Sequence, residues 1–373
     1  MASGLVSFFK KPIIGILPVM ASVNPLSMNA ENYLKAYSQK ANKFLDSFFL
    51  KKKALAQKID PDLGKILQVF LDSSKGGKRA RGALTVLGYE SSGGKNFEAI
   101  LPVSCGIEMF HNFLLIHDDI IDKDRLRRGK PTVHTIYAQK RGEHYGNSKA
   151  IIIGDVGAFL AYELLLSSDF SKERTLEAVA KLNEFLLKTG YGQLLDIDYD
   201  FKKQISWEEI LKVRTYKTAY YTIVMPLTVG AILAGASKSV LSAIESYGIP
   251  VGIAFQLVDD ILGVFGSTGK TGKSNLSDIR DGKKTFLYAK ALELLGAPEK
   301  KFLKKWYGAG DIGEKQTREI KKIIVSSGAL DYSKKLAEKL VMEGKKYVPK
   351  ITMDKKYQKV LESLADFMIT RES

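Results

Sequence analysis

The chain has 373 residues, 45% of them hydrophobic and 26% charged, a globular composition that excludes disorder, collagen-like repeats and a disulfide mini-scaffold. Lysine and arginine number 57 against 41 acidic residues, and the net charge of +16 favours anionic partners: nucleic acid, anionic lipid or phosphorylated small molecules. The single cysteine, Cys105, excludes an internal disulfide and a multi-cysteine zinc site, and a reducing, cytoplasmic setting is expected.

Residues 1–30 read as a loose N-terminal arm. Pro12, Pro18 and Pro25 interrupt its mildly apolar run, which argues against a cleaved signal. A folded domain is expected over 31–373. Helical periodicity begins over 32–50. Next comes Gly76-Gly77-Lys78-Arg79-Ala80-Arg81. Its glycines let backbone approach a ligand, and Lys78 and Arg81, three apart, can face one way. A helix over 100–121 is apolar from Phe110 to Ile116 and closes on His117-Asp118-Asp119-Ile120-Ile121-Asp122. Asp118 and Asp122 share a helix face, where their carboxylates repel unless a cation lies between them. Hard divalent ions such as Mg²⁺ take such ligands, often together with substrate phosphates. Arg125-Leu126-Arg127-Arg128-Gly129-Lys130 follows, with guanidinium forks suited to phosphate oxygens.

Further helices are predicted over 150–166, 172–189 and 207–215. Residues 218–236 lack charge over 19 residues, close to the length of a membrane span. Pro226, the glycines and threonines, and the lack of a second comparable run favour a buried helix over a stable membrane span. A helix over 241–262, with a kink expected at Pro250, carries Phe255-Gln256-Leu257-Val258-Asp259-Asp260 near its end. Paired charge at the end of so apolar a helix is costly. Lys270, Lys273, Lys283 and Lys284 follow in a glycine-rich setting that lacks P-loop spacing. Beyond Gly296 the lysine-rich, amphipathic pattern predicts peripheral helices. Strand signals are scarce, so the expected fold class is all-α, one domain of ten or more helices.

Acidic pairs and basic runs alternate along this chain. Carboxylates can hold divalent metal, the metal can hold a diphosphate, and arginine and lysine can neutralise the rest. That combination suits removal of a diphosphate leaving group from a carbon skeleton. Nucleic-acid binding would use the basic runs but leaves the two aspartate pairs unexplained. An EF-hand is excluded by the ligand spacing.

These motifs, in this order, resemble the trans-isoprenyl diphosphate synthases, the polyprenyl synthetase family, and most of all the archaeal-type geranylgeranyl diphosphate synthases. The resemblance runs from about Lys75 to Thr285. It rests on Asp118-Asp119-x-x-Asp122, Arg127-Arg128-Gly129, Asp259-Asp260, the Gly-Gly-Lys-Arg-x-Arg segment, His111, Lys217-Thr218, Phe255-Gln256, Gly272-Lys273 and Gly282-Lys283. Gly190-Tyr191-Gly192-Gln193 with Asp196 is similar to the family's Gly-Gln and Asp element. Two positions depart from the pattern: Gly82 stands where the family usually has proline, and Gly263 replaces the last acid of the second motif.

The resemblance implies an all-α isoprenoid synthase fold around a central cavity, a homodimer, and three Mg²⁺ ions. It implies metal binding by Asp118, Asp119, Asp122, Asp259 and Asp260. Lys217, Arg127, Lys273 and Lys283 would meet an allylic diphosphate, and Lys78, Arg81, His111 and Arg128 isopentenyl diphosphate. Thr218 and Gln256 would steer the cation. Phe113 and Leu114, five and four residues before Asp118, and Phe110, eight before it, would form the floor of the product tunnel. That pattern implies a C20 product, with C15 or C25 as alternatives. A non-catalytic binding subunit and a terpene cyclase are the rival readings. Intact Asp118, Asp122, Arg127 and Arg128 argue against the first, and the Lys78, Arg81 and His111 set against the second.

Overall fold

The computed structural model describes residues 29–202, 205–266 and 277–370. The expected arm over 1–30 lies, but for its last two residues, outside the described residues, as does Lys273. Helix α1 (Ala30–Gln57) starts where the Asn29 side chain caps the Asn32 N–H. Leu34, Tyr37, Ala41, Leu45 and Phe48 recur at three- and four-residue spacing and face the core. Helix α2 (Pro61–Ser73) is capped by Asp60, with proline in its first turn. Helix α3 (Ala80–Ser91) is buried on almost every face, and α4 (Phe97–Ile121) runs through the core to the aspartate cluster. A two-residue hairpin, β1 (Leu126–Arg127) and β2 (Lys130–Pro131), turns through Arg128 and Gly129. Both turn residues have positive φ, as tight hairpin turns of the primed types require. Then come α5 (Val133–Arg141), α6 (Glu143–Leu166) and α7 (Lys172–Asp200).

The helices expected over 207–215 and 218–236 are one rod. Helix α8 (Trp207–Val213) passes into a π-helical stretch (Arg214–Val224) and on into α9 (Met225–Ala234). Pro226, just beyond the π stretch, has no N–H to give the preceding turn, so one backbone bond of an α register is missing at this point. Helix α10 (Lys238–Phe265) contains Pro250 and carries the second aspartate pair. The C-terminal region adds α11 (Ser277–Arg280), α12 (Phe286–Leu294), α13 (Ala297–Trp306), α14 (Glu314–Ser326), α15 (Ala329–Lys345), α16 (Val348–Ile351) and α17 (Lys355–Thr370).

One core cluster joins α1–α7 with α9; a second joins α8–α10 with α15–α17. Among the described residues three helices, not one, are long and apolar enough to cross a membrane: Phe97–Ile121, Trp207–Ala234 and Lys238–Phe265. Most of the apolar window of the first two, 72% and 78%, is buried inside the protein.

Helices α3 and α9 touch backbone to backbone. A Cβ at Gly230 would stand 1.9 Å from the Thr85 carbonyl oxygen, and one at Gly88 would stand 2.1 Å from that of Leu227. Gly230→Val therefore cannot be absorbed by a side-chain shift. It should cost at least about 3 kcal/mol, the upper range for overpacking. A melting curve matching the wild type would show that the helices separate more easily than this crossing implies.

Candidate active site

The C-terminal ends of α4 and α10, the π stretch and the segment before α12 enclose a cavity of about 760 Å³. One half is acidic. Asp122 lines the cavity at the C-cap of α4. Burial pushes its carboxyl above the usual range, and the charge of Asp118 one turn earlier pushes it further. Lys217 stands opposite, 2.6 Å from Asp196 and 3.8 Å from Asp118. Its position depends on Gly192: a Cβ there would lie 2.3 Å from the Lys217 backbone nitrogen, so glycine lets α7 and the π stretch close up. Burial is the strongest influence on Asp196 and pushes its carboxyl up. The charges of Lys217 and Arg214 outweigh it and hold the group below its ordinary range. From α10, Asp259 reaches the cavity, and its Oδ2 accepts from Gln256 at 3.0 Å.

The second aspartate of each pair is engaged elsewhere. Asp119 is buried, and Arg127 donates to its Oδ1 from both Nε and Nη2 at 2.6 Å. Asp260 is buried, with Oδ1 3.3 Å from Arg214 and Oδ2 accepting the Phe286 N–H at 2.9 Å. Adjacent residues on a helix point about 100° apart: Asp119 faces Arg127, while Asp259 and Asp260 both line the cavity, Asp260 with Arg214 beside it. Asp122, Asp259 and Asp260 line the cavity and Asp118 stands beside the cavity-lining Lys217, while Asp119 and Asp260 also hold Arg127 and the start of α12.

The other half of the cavity is basic. Lys78, Arg81 and Arg128 line it together with His111. Arg81 lies 4.6 Å from the Tyr221 ring centre, donates to Thr222 Oγ1 at 2.8 Å, and stands 3.1 Å from His111 Nε2. Burial, then the charge of Arg81, holds the His111 imidazole well below its ordinary pKa, so the ring is neutral. Its Nε2 accepts from Arg81. Arg81 Nε and His111 Nδ1 are buried without a protein partner. Donors of this kind suit phosphate oxygens. Arg128 donates to the Lys75 carbonyl at 3.1 Å. Gly82 gives its N–H to the buried Glu108 at 2.7 Å, a bond that proline could not make. A Cβ at this position would also meet the Tyr37 hydroxyl at 2.0 Å.

The hydroxyl that reaches the cavity from the π stretch is that of Thr222, four residues past the expected Thr218. Lys283 lines the cavity, and Lys284 donates to the carbonyls of Tyr199, Asp200 and Lys202, closing the end of α7. Phe110 is buried against Tyr162 of α6, with ring centres 4.8 Å apart. Phe113 and Leu114 are half-buried, and Phe113 packs on His117. None of the three is among the residues that line the cavity, to which α4 contributes Asn112 and Leu115. Sequence reasoning missed Arg214, Thr222 and Glu108. Arg214 lies three before Lys217 on the same rod, and Glu108 is an acid inside an apolar helix; both signals were available.

Among the described residues, no three acidic, imidazole or thiol side chains close into a metal cage. Magnesium does not need one, since it binds through one or two carboxylates plus waters and substrate phosphates. An all-carboxylate donor set facing unpartnered N–H donors fits a metal that arrives with a diphosphate.

A family model described as polyprenyl synthetase matches residues 63–325. A geranylgeranyl diphosphate synthase of Methanosarcina mazei is 33% identical over 311 residues, covering 83% of this chain and 90% of that protein. A geranylfarnesyl diphosphate synthase of Aeropyrum pernix is 33% identical over 305 residues, covering 79% and 91%. The crystal structure of a geranylgeranyl pyrophosphate synthase from Corynebacterium glutamicum, complexed with isoprenyl diphosphate and magnesium, superposes with a TM-score of 0.84 at 29% identity. It covers 92% of this chain and all of that one.

Proposed function

The chain belongs to the polyprenyl synthetase family, and we propose that it is a short-chain trans-prenyltransferase joining isopentenyl diphosphate to an allylic diphosphate, with geranylgeranyl diphosphate (C20) as product. The observation that carries this reading is the division of one cavity into an acidic half and a basic half. Two anionic substrates need two differently built binding sites.

Asp118, Asp122 and Asp259 would hold Mg²⁺, which when bound supplies Lewis-acid stabilisation of the departing diphosphate. Lys217, Lys283 and Lys273 add positive charge on the allylic side. Arg127, braced by Asp119, does the same. Lys78, Arg81, His111 and Arg128 hold isopentenyl diphosphate. The allylic C–O bond breaks, the isopentenyl double bond attacks the allylic carbon to form the new C–C bond, and a proton leaves to the departed diphosphate. Gln256, fixed on Asp259, and the hydroxyl of Thr222, which lines the cavity, turn dipoles toward the developing cation.

Residues 31–373 are read as one catalytic domain, because Tyr33, Leu241 and Phe367 pack against both main core clusters. A homodimer is supported by exposed apolar stripes on α6 (Ile152, Val156, Phe159, Leu166) and α7 (Leu176, Leu187, Tyr191, Leu194). We place the reaction in the cytoplasm. The direct test is incubation with Mg²⁺, isopentenyl diphosphate and each allylic diphosphate, with products identified by length. No elongated prenyl diphosphate from any primer would refute the reading. A cyclic hydrocarbon would favour the cyclase.

Product length supplies a second test. Phe113→Ala should lengthen the product by at least one five-carbon unit, and Phe110→Ala should add to it. Wild-type length in both variants would move the tunnel floor elsewhere.

A further inference from the structure

We propose that Lys284 is a positioning residue for Lys283: its ammonium ties the segment that carries both lysines to the end of α7, and so sets where the Lys283 charge meets the allylic diphosphate. Both lysines lie between α11 and α12, outside any regular element, and both line the cavity. They serve it differently. The Lys284 Nζ donates to the backbone carbonyls of Tyr199 at 2.6 Å, Asp200 at 2.7 Å and Lys202 at 2.5 Å. An ammonium has three N–H donors and no acceptor, so these three bonds use its whole donor capacity. Its charge is committed to protein backbone, not left for a phosphate.

Helix α7 has a need for that cation. The last carbonyls of a helix have no partner within it. The last turn of α7 contains Asp198 and Asp200 but no basic residue, and the negative end of the helix dipole disfavours carboxylates there. Lys284 answers both from 84 residues beyond Asp200. On its far side the same segment is held by backbone. The Lys283 carbonyl accepts from the Tyr307 hydroxyl at 2.9 Å and from the Thr285 N–H at 2.8 Å. Gly282 has positive φ, and a Cβ there would stand 2.8 Å from the Gly308 Cα, so the two backbones touch. Lys283 thus leaves from backbone fastened on one side to the loop after α13 and on the other to α7. The charge it carries is felt by Asp122 at the end of α4 and by Asp196 and Asp200 on α7. Without the Lys284 bonds only the outer fastening remains, and the segment can draw away from those acids.

The proposal rests on the assignment of Lys283 to the allylic diphosphate. Lys284→Met keeps the apolar stem and removes the donors. It should raise KM for the allylic diphosphate about three- to tenfold, the fold-change of one lost hydrogen bond, and leave KM for isopentenyl diphosphate unchanged. Backbone amides in the last turn of α7 should exchange hydrogen faster in this variant. Lys284→Arg keeps donors on the carbonyls and should return both readouts to wild type. In a Lys283→Met background, Lys284→Met should add nothing to KM while still speeding exchange. An unchanged allylic KM in Lys284→Met, an equal rise for both substrates, unchanged exchange at the end of α7, or a KM in Lys284→Arg as high as in Lys284→Met would each overturn the proposal. So would a further rise in the Lys283→Met background, which would mean that Lys284 meets the diphosphate itself. All of these leave the assignment of Lys283 standing. A wild-type allylic KM in Lys283→Met alone would overturn the assignment, and the proposal with it.

Discussion

Asp118→Ala and Asp122→Ala should each lower kcat about 10²- to 10³-fold, the usual cost of losing one group that stabilises transition-state charge. Neither should destabilise the fold. Both acids sit in the last turn of α4, where the negative end of the helix dipole disfavours carboxylates. Burial and mutual repulsion already raise the Asp122 carboxyl above its ordinary range. Removing either acid relieves that repulsion, so the thermal transition should hold or rise. Asp119→Ala gives the contrast. It strips Arg127 of its bidentate partner and should lower the melting temperature as well as activity. Turnover and melting temperature measured on all three variants separate the roles. Near-normal turnover in either the Asp118 or the Asp122 variant with Mg²⁺ present would sink the metal assignment.

Arg81→Ala should raise KM for isopentenyl diphosphate by roughly 10- to 150-fold, from a charge-assisted hydrogen bond worth about 1.5–3 kcal/mol. The allylic KM should change far less. The reason lies in how Arg81 is held. Tyr221 lies beneath it, Thr222 accepts from it and the neutral His111 accepts beside it. None of these three neighbours is a carboxylate, so the guanidinium carries most of its charge to an incoming anion. Equal effects on the two substrates, read from steady-state kinetics with each varied in turn, would mean that the basic residues are wrongly divided.

The helical fold and the two aspartate clusters were legible because periodicity and spacing are local. An i,i+4 pair at the end of an apolar run can be read without knowing its neighbours. The partners of the second acids, Arg127 for Asp119 and Arg214 for Asp260, were not legible, and Arg214 lies 46 residues before Asp260. The end of α7 was also misjudged. A helix was expected over 172–189, yet α7 runs on through Gly190 and Gly192 to Asp200. Gly192 serves the approach of Lys217, a tertiary contact with no local signature. Thr222 was hidden for a related reason: a π stretch changes which hydroxyls share a face, and α-helical counting then selects the wrong one.

That stretch constrains the gene as well as the protein. In a π turn each hydrogen bond spans one residue more than in an α turn, so Arg214–Val224 behaves like a helix with its phase shifted. A substitution here leaves the phase alone. A single-residue deletion lets the stretch fall back toward α register and changes the angles between the side chains within it. Lys217 would then turn away from Asp196 while Thr222 lost Arg81, with every chemically necessary residue still encoded. Across these eleven positions, drift by point mutation is far better tolerated than drift by length.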